Sequence, residues 1–266
     1  MASSFTAHNI RLDDGSLTKP EQPWQMEDLP LLKFTKQFLR MLFPDGVAGK
    51  RIVDLGCLEG GYTVELARAG FDALGIEVRQ SNFENCQRVQ AGTNLPNLTF
   101  ACDDVHNLAK YGVFDVVFCC GLLYHLDQPR KFVDLMAQVC RRAVIVDTHV
   151  AETRRNGKFR LSWVTENEGW AGRWYSEGKS DRWRYEAKWS SWSNRKSFWP
   201  MKRDLMQGLQ QAGFTMVLEY PIFDPYRELT HRVTIVGVKI NPLQRRFVLP
   251  PDDKPRPPVA SLNRHS

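Results

Sequence analysis

The chain has no run approaching the roughly 18 consecutive apolar residues that a membrane span requires. Its first residues, MASSFTAHNIRLDD, lack the apolar core of a secretory signal, so a soluble cytoplasmic protein is expected. Paired cysteines are also missing. Cys57, Cys86, Cys102, Cys119, Cys120 and Cys140 form no CxxC, stand mostly in apolar runs, and have no successor after position 140. That spacing suits neither zinc nor a disulfide framework, so reduced thiols and no metal are expected. A strong charge of one sign is lacking too: 36 Lys and Arg face 30 Asp and Glu. Residues 241–266 hold five Lys/Arg against two Asp, three of the six net charges, together with six of the fifteen prolines. This basic, proline-rich tail cannot bury much apolar surface and is expected to be disordered. The body is then only about +3, which is weak evidence for a nucleic-acid surface. No internal repeat is evident, and no Ser-His-Asp or Cys-His pattern points to hydrolysis.

What is present is a regular alternation. From Asp28 to Phe43, Leu31, Phe34, Phe38, Met41 and Leu42 recur at helical spacing, with Asp28 as predicted N-cap and Pro44 beyond the end. Apolar strands then alternate with helical patterns: Arg51 to Leu55, helix to Ala69, Asp72 to Glu77, helix to Ala91, Leu98 to Cys102. Strand Phe114 to Cys120, a helix opened by Asp127 and Pro129, and strand Ala143 to Asp147 follow. Short, fully apolar strands in repeated βα units predict an α/β fold with a parallel sheet covered by helices on both faces. The pattern breaks over 151–200 and resumes as helix Lys202 to Gln211, stopped by Gly213, with strands Thr215 to Tyr220 and Arg232 to Lys239. Residues 151–200 hold seven of the eight tryptophans and eleven Lys/Arg against six Asp/Glu, and are expected to be an insertion over the sheet.

The first strand runs through Asp54, Gly56, Cys57, Leu58 and Gly60 into a helix, a turn that lets backbone approach a ligand beside a positive helix N-terminus. Twenty-one residues after Gly56, at the end of the second strand, Glu77 is placed to accept hydrogen bonds from ribose hydroxyls. The two together indicate a nucleoside-containing cofactor. The middle glycine that admits a pyrophosphate is absent, since position 58 is leucine, which disfavours a dinucleotide.

This order of elements, with the acidic residue that opens the loop, resembles the class I S-adenosylmethionine-dependent methyltransferases. The resemblance covers residues 45–150 and 200–240. It implies a Rossmann-like, seven-stranded, mostly parallel sheet with an antiparallel last pair, and S-adenosyl-L-methionine as cofactor. Asp54, Gly56, Cys57 and Gly60 would form the loop around the methionine part and Glu77 would hold the ribose. Asp104 and Val105 would meet the adenine, while Asp103 is expected to be solvated. Gly121, Tyr124 and His125 would stand beside the sulfonium. Leu58 departs from the family's usual glycine. GLLYH followed by a proline, Ser197-Phe198-Trp199-Pro200, and Ala212-Gly213-Phe214 are similar to the catalytic domain of tRNA wobble-uridine carboxymethyltransferases and to bacterial glycan methyltransferases, the latter ranking slightly higher.

His125 and His149, each just past a strand end, are the candidate bases for an acceptor hydroxyl, with Tyr124 at the pocket rim; the alternative for each is packing. The tryptophan segment suits stacking on sugar faces, as around Glu166-Asn167-Glu168-Gly169-Trp170. Interleaved with Arg173, Arg182, Arg184 and Arg195, it also suits nucleic acid, and at least half of its tryptophans are expected in a small core of its own. The predicted organisation is an N-terminal segment and helix (1–44) covering the cofactor site, a methyltransferase domain (45–240) with 151–200 as a substrate lid, and the tail (241–266). The acceptor is expected to be a small molecule or glycan.

Overall fold

The computed structural model describes residues 4–153, 159–178, 180–188, 190–222 and 231–240. The predicted tail, Trp189 and the side chain of Arg182 lie outside the described residues.

Helix α1 (Pro30–Leu42) precedes strand β1 (Arg51–Leu55), followed by α2 (Gly61–Arg68), β2 (Asp72–Glu77), α3 (Gln80–Ala91) and β3 (Leu98–Cys102). Then come β4 (Phe114–Cys120), α4 (Pro129–Val139) and β5 (Cys140–His149). The insertion supplies β6 (Thr165–Asn167), β7 (Trp170–Ser176), α5 (Asp181–Glu186) and β8 (Lys196–Pro200); α6 (Lys202–Gln211), β9 (Met216–Glu219) and β10 (Arg232–Val238) complete the order. The seven-stranded sheet runs β3-β2-β1-β4-β5-β10-β9, parallel except that β10 is antiparallel to β5 and β9. Strand order reverses between β1 and β4, and ligands of open α/β sheets bind outside the carboxyl ends at such a point.

Alternate residues divide each central strand between two cores. Ile52, Val116, Phe118 and Ile145 pack with residues of α1 and α2, including Leu31, Leu39, Val64 and Leu66. Val53, Val117, Val144 and Val146 pack on the other face with Phe132 and Met136 of α4 and Leu205 and Leu209 of α6. Sheet strands buried on both faces give the continuous apolar runs seen in the sequence.

Boundaries differ from expectation at α1, β5, β9 and β10. Asp28 does not cap α1: the N-cap is Leu29, and Asp28 sits in a preceding 3-10 turn, where it pairs with Lys33 at 3.3 Å. Pro30 opens the helix, a position that has no amide hydrogen bond to lose. Strand β5 extends beyond Ala143–Asp147 at both ends: antiparallel β10 pairs along it as far as His149, and Cys140 at its start pairs with Phe114 of β4. The last two strands are each trimmed, by two residues and one respectively.

The insertion is docked onto the domain. Trp170 and Phe198 join the core shared by α4 and α6. Trp199 is buried with Leu161 and Ala151. Of the six described tryptophans in the segment, Trp163, Trp183 and Trp192 are exposed, Trp170 joins the domain's core with half-buried Trp174 packed against it, and Trp199 alone sits in a small cluster apart, so fewer than the expected half build a core of the segment's own.

Candidate cofactor and acceptor site

β1 carries Asp54 to the carboxyl edge, where it is buried and accepts a hydrogen bond from Thr63 Oγ1 of α2 at 2.7 Å. Burial pushes its carboxyl up to about 7. The chain then turns through Gly56 (φ 66°), Leu58 (φ 55°) and Gly60 (φ 80°), all in the left-handed region. A leucine there costs about 1 kcal/mol. It is held because its amide donates to Glu77 Oε2 at 3.0 Å, while Arg79 N donates to Glu77 Oε1 at 2.8 Å. Glu77 at the end of β2 is buried, which pushes its carboxyl up to about 7 in spite of these two amides. At Gly60 an added Cβ would stand 2.5 Å from Phe100 Cζ. Gly60 therefore serves the turn and does not line the cavity beside it.

That cavity, about 360 Å³, lies at the carboxyl ends of β1, β2 and β4. Asp54, Gly56, Cys57, Leu58, Glu77, Asp104, Val105 and Gly121 line it, so seven of the eight residues predicted for the cofactor are brought together. Asp104 is half-exposed and accepts from His106 N at 2.9 Å, while His106 Nδ1 lies 2.6 Å from the same oxygen. Asp103, expected in solvent, is instead caught by Tyr111 Oη (2.7 Å), Asn107 Nδ2 (2.9 Å) and Lys110. These partners hold its carboxyl well below the usual range, and it anchors the turn that presents Asp104.

Two segments roof the cavity. From the N-terminal side, Ala7 and His8 line it. Glu59 fixes them by accepting from the amides of Thr6 (2.5 Å), Ala7 (3.1 Å) and His8 (3.0 Å), and His8 Nδ1 accepts from Gly61 N at the start of α2 (3.0 Å). From the insertion come Lys188, Ser190, Ser191, Trp192, Ser193 and Asn194. Buried Arg79 clamps this loop, donating to Ser190 O at 2.7 Å and Ser191 O at 3.1 Å with its guanidinium 5.2 Å from the Trp192 ring.

Tyr124 and His125 line the same cavity from the 3-10 turn Leu123–His125 after β4. Trp199 Nε1 donates to Tyr124 O at 3.0 Å, Asn194 Nδ2 donates to His125 O at 2.9 Å, and His125 Nδ1 lies 2.8 Å from Glu177 Oε1. Arg232, at the start of β10, also lines it, bonded through Nε to buried Asp147 Oδ1 at 2.7 Å and lying 5.6 Å from the Tyr124 ring. Burial opposes its charge, but Asp147 holds the guanidinium above its ordinary value. His149 is not among the lining residues: it stacks on Trp199 (centroids 4.7 Å, 9° between planes) and meets Tyr124 edge-on at 4.6 Å. β5 runs two residues further than the sequence suggests and carries it into this aromatic cluster.

Sequence reasoning missed Glu177, Arg79 and Arg232. Glu177 is 52 residues from His125, and no local pattern links them. Arg79 stood two residues after Glu77 and was legible only as an ordinary basic residue. The arginines read as phosphate partners behave differently from that expectation: Arg173 is buried and donates to three carbonyls, Glu152 O (3.0 Å), Ser162 O (2.7 Å) and Thr153 O (2.9 Å), and Arg184 is buried as well.

A reversed parallel sheet with an antiparallel end, an acidic-opened turn after β1 and an acidic residue closing β2 define a class I methyltransferase fold. Residues 52–143 match the family model of a methyltransferase domain. The ubiquinone biosynthesis O-methyltransferase of Acinetobacter baumannii is 30% identical over 120 residues, 44% of this chain and 49% of the relative. That of Psychrobacter cryohalolentis is 35% identical over 92 residues, 34% and 36% of the two chains. The chain thus spans about half the length, or less, of the curated relatives it matches. Among solved structures, the N-terminal domain of EvdMO1 with SAH bound superposes with a TM-score of 0.62 at 24% identity, covering 79% of this chain and 81% of that one. Magnesium protoporphyrin IX methyltransferase from Synechocystis with bound SAM gives 0.51 at 17% identity, covering 79% and 80%. Over residues 52–143 the chain is similar to methyltransferase domains, and its fold is that of the class I S-adenosylmethionine-dependent methyltransferases. Among the described residues, no helix is long and apolar enough to cross a membrane.

Proposed function

We propose that this chain transfers a methyl group from S-adenosylmethionine to a hydroxyl of a small-molecule or glycan acceptor. The observation that carries the reading is that one cavity is lined both by the carboxylates Asp54, Glu77 and Asp104 and by the imidazole of His125. The residues fit the donor: Glu77 is a buried acidic side chain whose polar partners include two backbone amides and the side chain of Asn82, and it suits ribose hydroxyls that bring further donors. Asp104 and the amide of Val105 suit the amine and a ring nitrogen of adenine. When bound, the donor supplies an electrophilic methyl carbon on a positively charged sulfur.

The chain's own residues then perform four tasks. The loop 56–60 and Glu77 hold the donor. Arg79 fixes the roof through Ser190 and Ser191, which excludes water. Trp192, 39% exposed in that roof, offers a face to a sugar or aromatic ring. His125 accepts the hydroxyl proton as the acceptor oxygen bonds to the methyl carbon and the carbon–sulfur pair returns to sulfur. Most of the barrier reduction comes from alignment of oxygen, carbon and sulfur.

Both acceptor classes have support. The matched ubiquinone enzymes are named O-methyltransferases, and a second structure of the EvdMO1 N-terminal domain was determined in the presence of SAH and D-fucose. The inward placement of Arg173 and Arg184 favours these over RNA, because it leaves the roof with fewer outward guanidinium groups for phosphates. Calorimetric titration with S-adenosylmethionine, with NAD as the control ligand, tests the reading. Saturable binding of the methyl donor is expected, weakened about tenfold, or about 1.4 kcal/mol, in Glu77→Ala; a wild-type protein that binds NAD and not the donor refutes it.

A further inference from the structure

Glu177 follows β7, inside the insertion, and its side chain is 2% exposed. A buried carboxylate so far from the cofactor loop needs compensation, and its surroundings supply it completely. Ser197 Oγ donates to Oε1, Ser191 N donates to Oε2 at 3.2 Å, and His125 Nδ1 lies 2.8 Å from Oε1.

The direction of each hydrogen bond can be followed outward. Asn194 Nδ2 donates to Ser197 Oγ at 3.1 Å, so the serine accepts there and spends its own hydrogen on Glu177. Asn194 Oδ1 accepts from Ser191 Oγ at 2.5 Å, which fixes the amide's orientation. Burial raises a carboxyl, but the His125, Ser197 and Ser191 contacts outweigh it and hold Glu177 below its ordinary value. An ionised carboxylate only accepts. The hydrogen between it and His125 must therefore stand on Nδ1, which leaves the lone pair of the neutral ring on Nε2, in the residue that lines the cavity.

We propose that Glu177 is a positioning residue for His125: the insertion supplies the carboxylate that sets the tautomer of an imidazole belonging to the methyltransferase domain. This inference rests on the methyl-transfer reading above. In the transfer step the acceptor O–H bond breaks and its proton goes to Nε2. The oxygen pair forms the O–CH3 bond, the S–CH3 pair stays on sulfur, and the resulting imidazolium is stabilised by Glu177. The insertion thereby completes the base as well as covering the acceptor. Three further bonds tie it to the same turn: Asn194 Nδ2 to His125 O, Trp199 Nε1 to Tyr124 O, and Phe198 N to Leu126 O (2.8 Å).

The test is a long-range nitrogen–proton NMR correlation on the full chain labelled with 15N-histidine, at a pH near 8 where imidazoles are neutral. Wild type is expected to show His125 protonated at Nδ1 and bare at Nε2. In Glu177→Gln the ratio of Nδ1–H to Nε2–H tautomer should fall by about tenfold, because an amide offers both a donor and an acceptor. Affinity for S-adenosylmethionine should stay within about twofold of wild type, since Glu177 does not line the cavity. Ser197→Ala, which disturbs the same packing and leaves the carboxylate on His125, should keep the wild-type pattern; it also serves if Glu177→Gln does not fold. A wild-type proton on Nε2, an unchanged tautomer in Glu177→Gln, or a shift in Ser197→Ala as large as that in Glu177→Gln overturns the proposal. Failure of wild type to bind S-adenosylmethionine overturns the methyl-transfer reading instead, because the tautomer is read without donor.

Discussion

Gly208 lies in the interior of α6, where a glycine ordinarily weakens a helix and its replacement by alanine stabilises by about 1 kcal/mol. Here the sign should reverse. A Cβ at Gly208 would stand 2.0 Å from Cζ2, 2.7 Å from Cε2 and 2.9 Å from Cη2 of Trp170. The indole is 3% exposed and enclosed by the core that α4 and α6 share, so neither it nor the helix can withdraw without moving other core side chains. Overpacking costs about 1–3 kcal/mol, and contact with a rigid ring at such distances belongs at the upper end. After the helix gain is subtracted, Gly208→Ala should lose about 2 kcal/mol, a fall in Tm of roughly 4–8 °C for a domain of this size. Thermal denaturation followed by near-ultraviolet circular dichroism measures it, and Trp170→Leu in the same chain should recover part of the loss. A Tm equal to or above that of wild type would refute the argument that Trp170 pins the insertion against α6.

Two further outcomes follow from the loop after β1. Glu77 holds its proton up to about 7 in the folded chain against an ordinary glutamate value of 4.5. Between those values the native state binds more protons than the unfolded one, so its contribution is full below about 4.5 and is lost as pH rises to about 7. The stability of wild type relative to Glu77→Gln, from urea titrations, should therefore fall from about pH 5 to about pH 7.5, while affinity for S-adenosylmethionine rises as the carboxylate ionises; a flat difference refutes the assignment. At Leu58, φ 55° costs a leucine about 1 kcal/mol, which Gly would relieve at a similar cost in unfolded-chain entropy. Leu58→Gly should leave Tm nearly unchanged, whereas the β-branched Leu58→Val should lower it by several degrees, and equal Tm values for the two would show that the turn carries no such strain.

The alternation of short apolar strands with amphipathic helices made the fold legible, because a parallel sheet buried on both faces leaves that pattern along the chain. The candidate cofactor residues were legible for the same reason. Asp54, Glu77 and Asp104 each stand at a strand's carboxyl end, and that edge is where such a sheet binds ligands. The acceptor side was legible only in part. His125 could be found because it follows β4 directly, but His149 shares that description and the structure carries it into an aromatic stack behind Tyr124.

The tryptophan segment was recognisable as an insertion and misleading in detail. Its composition does not distinguish Trp170, sealed against α6, from exposed Trp163 or from Trp192 in the roof. Its arginines invited a phosphate partner, yet Arg173 spends its donors on backbone carbonyls of its own segment.

The sequence by itself determined the order of elements, the edge of the sheet at which the cavity opens, and three of the acidic residues there, because backbone periodicity and strand-end position are local properties. Only the tertiary structure decided which histidine faces the cavity, what Arg79 holds, and that Glu177 stands behind His125. Those are contacts between segments 52 to 112 residues apart, made where the insertion packs against the turn after β4 and the start of α3. No spacing along the chain encodes them.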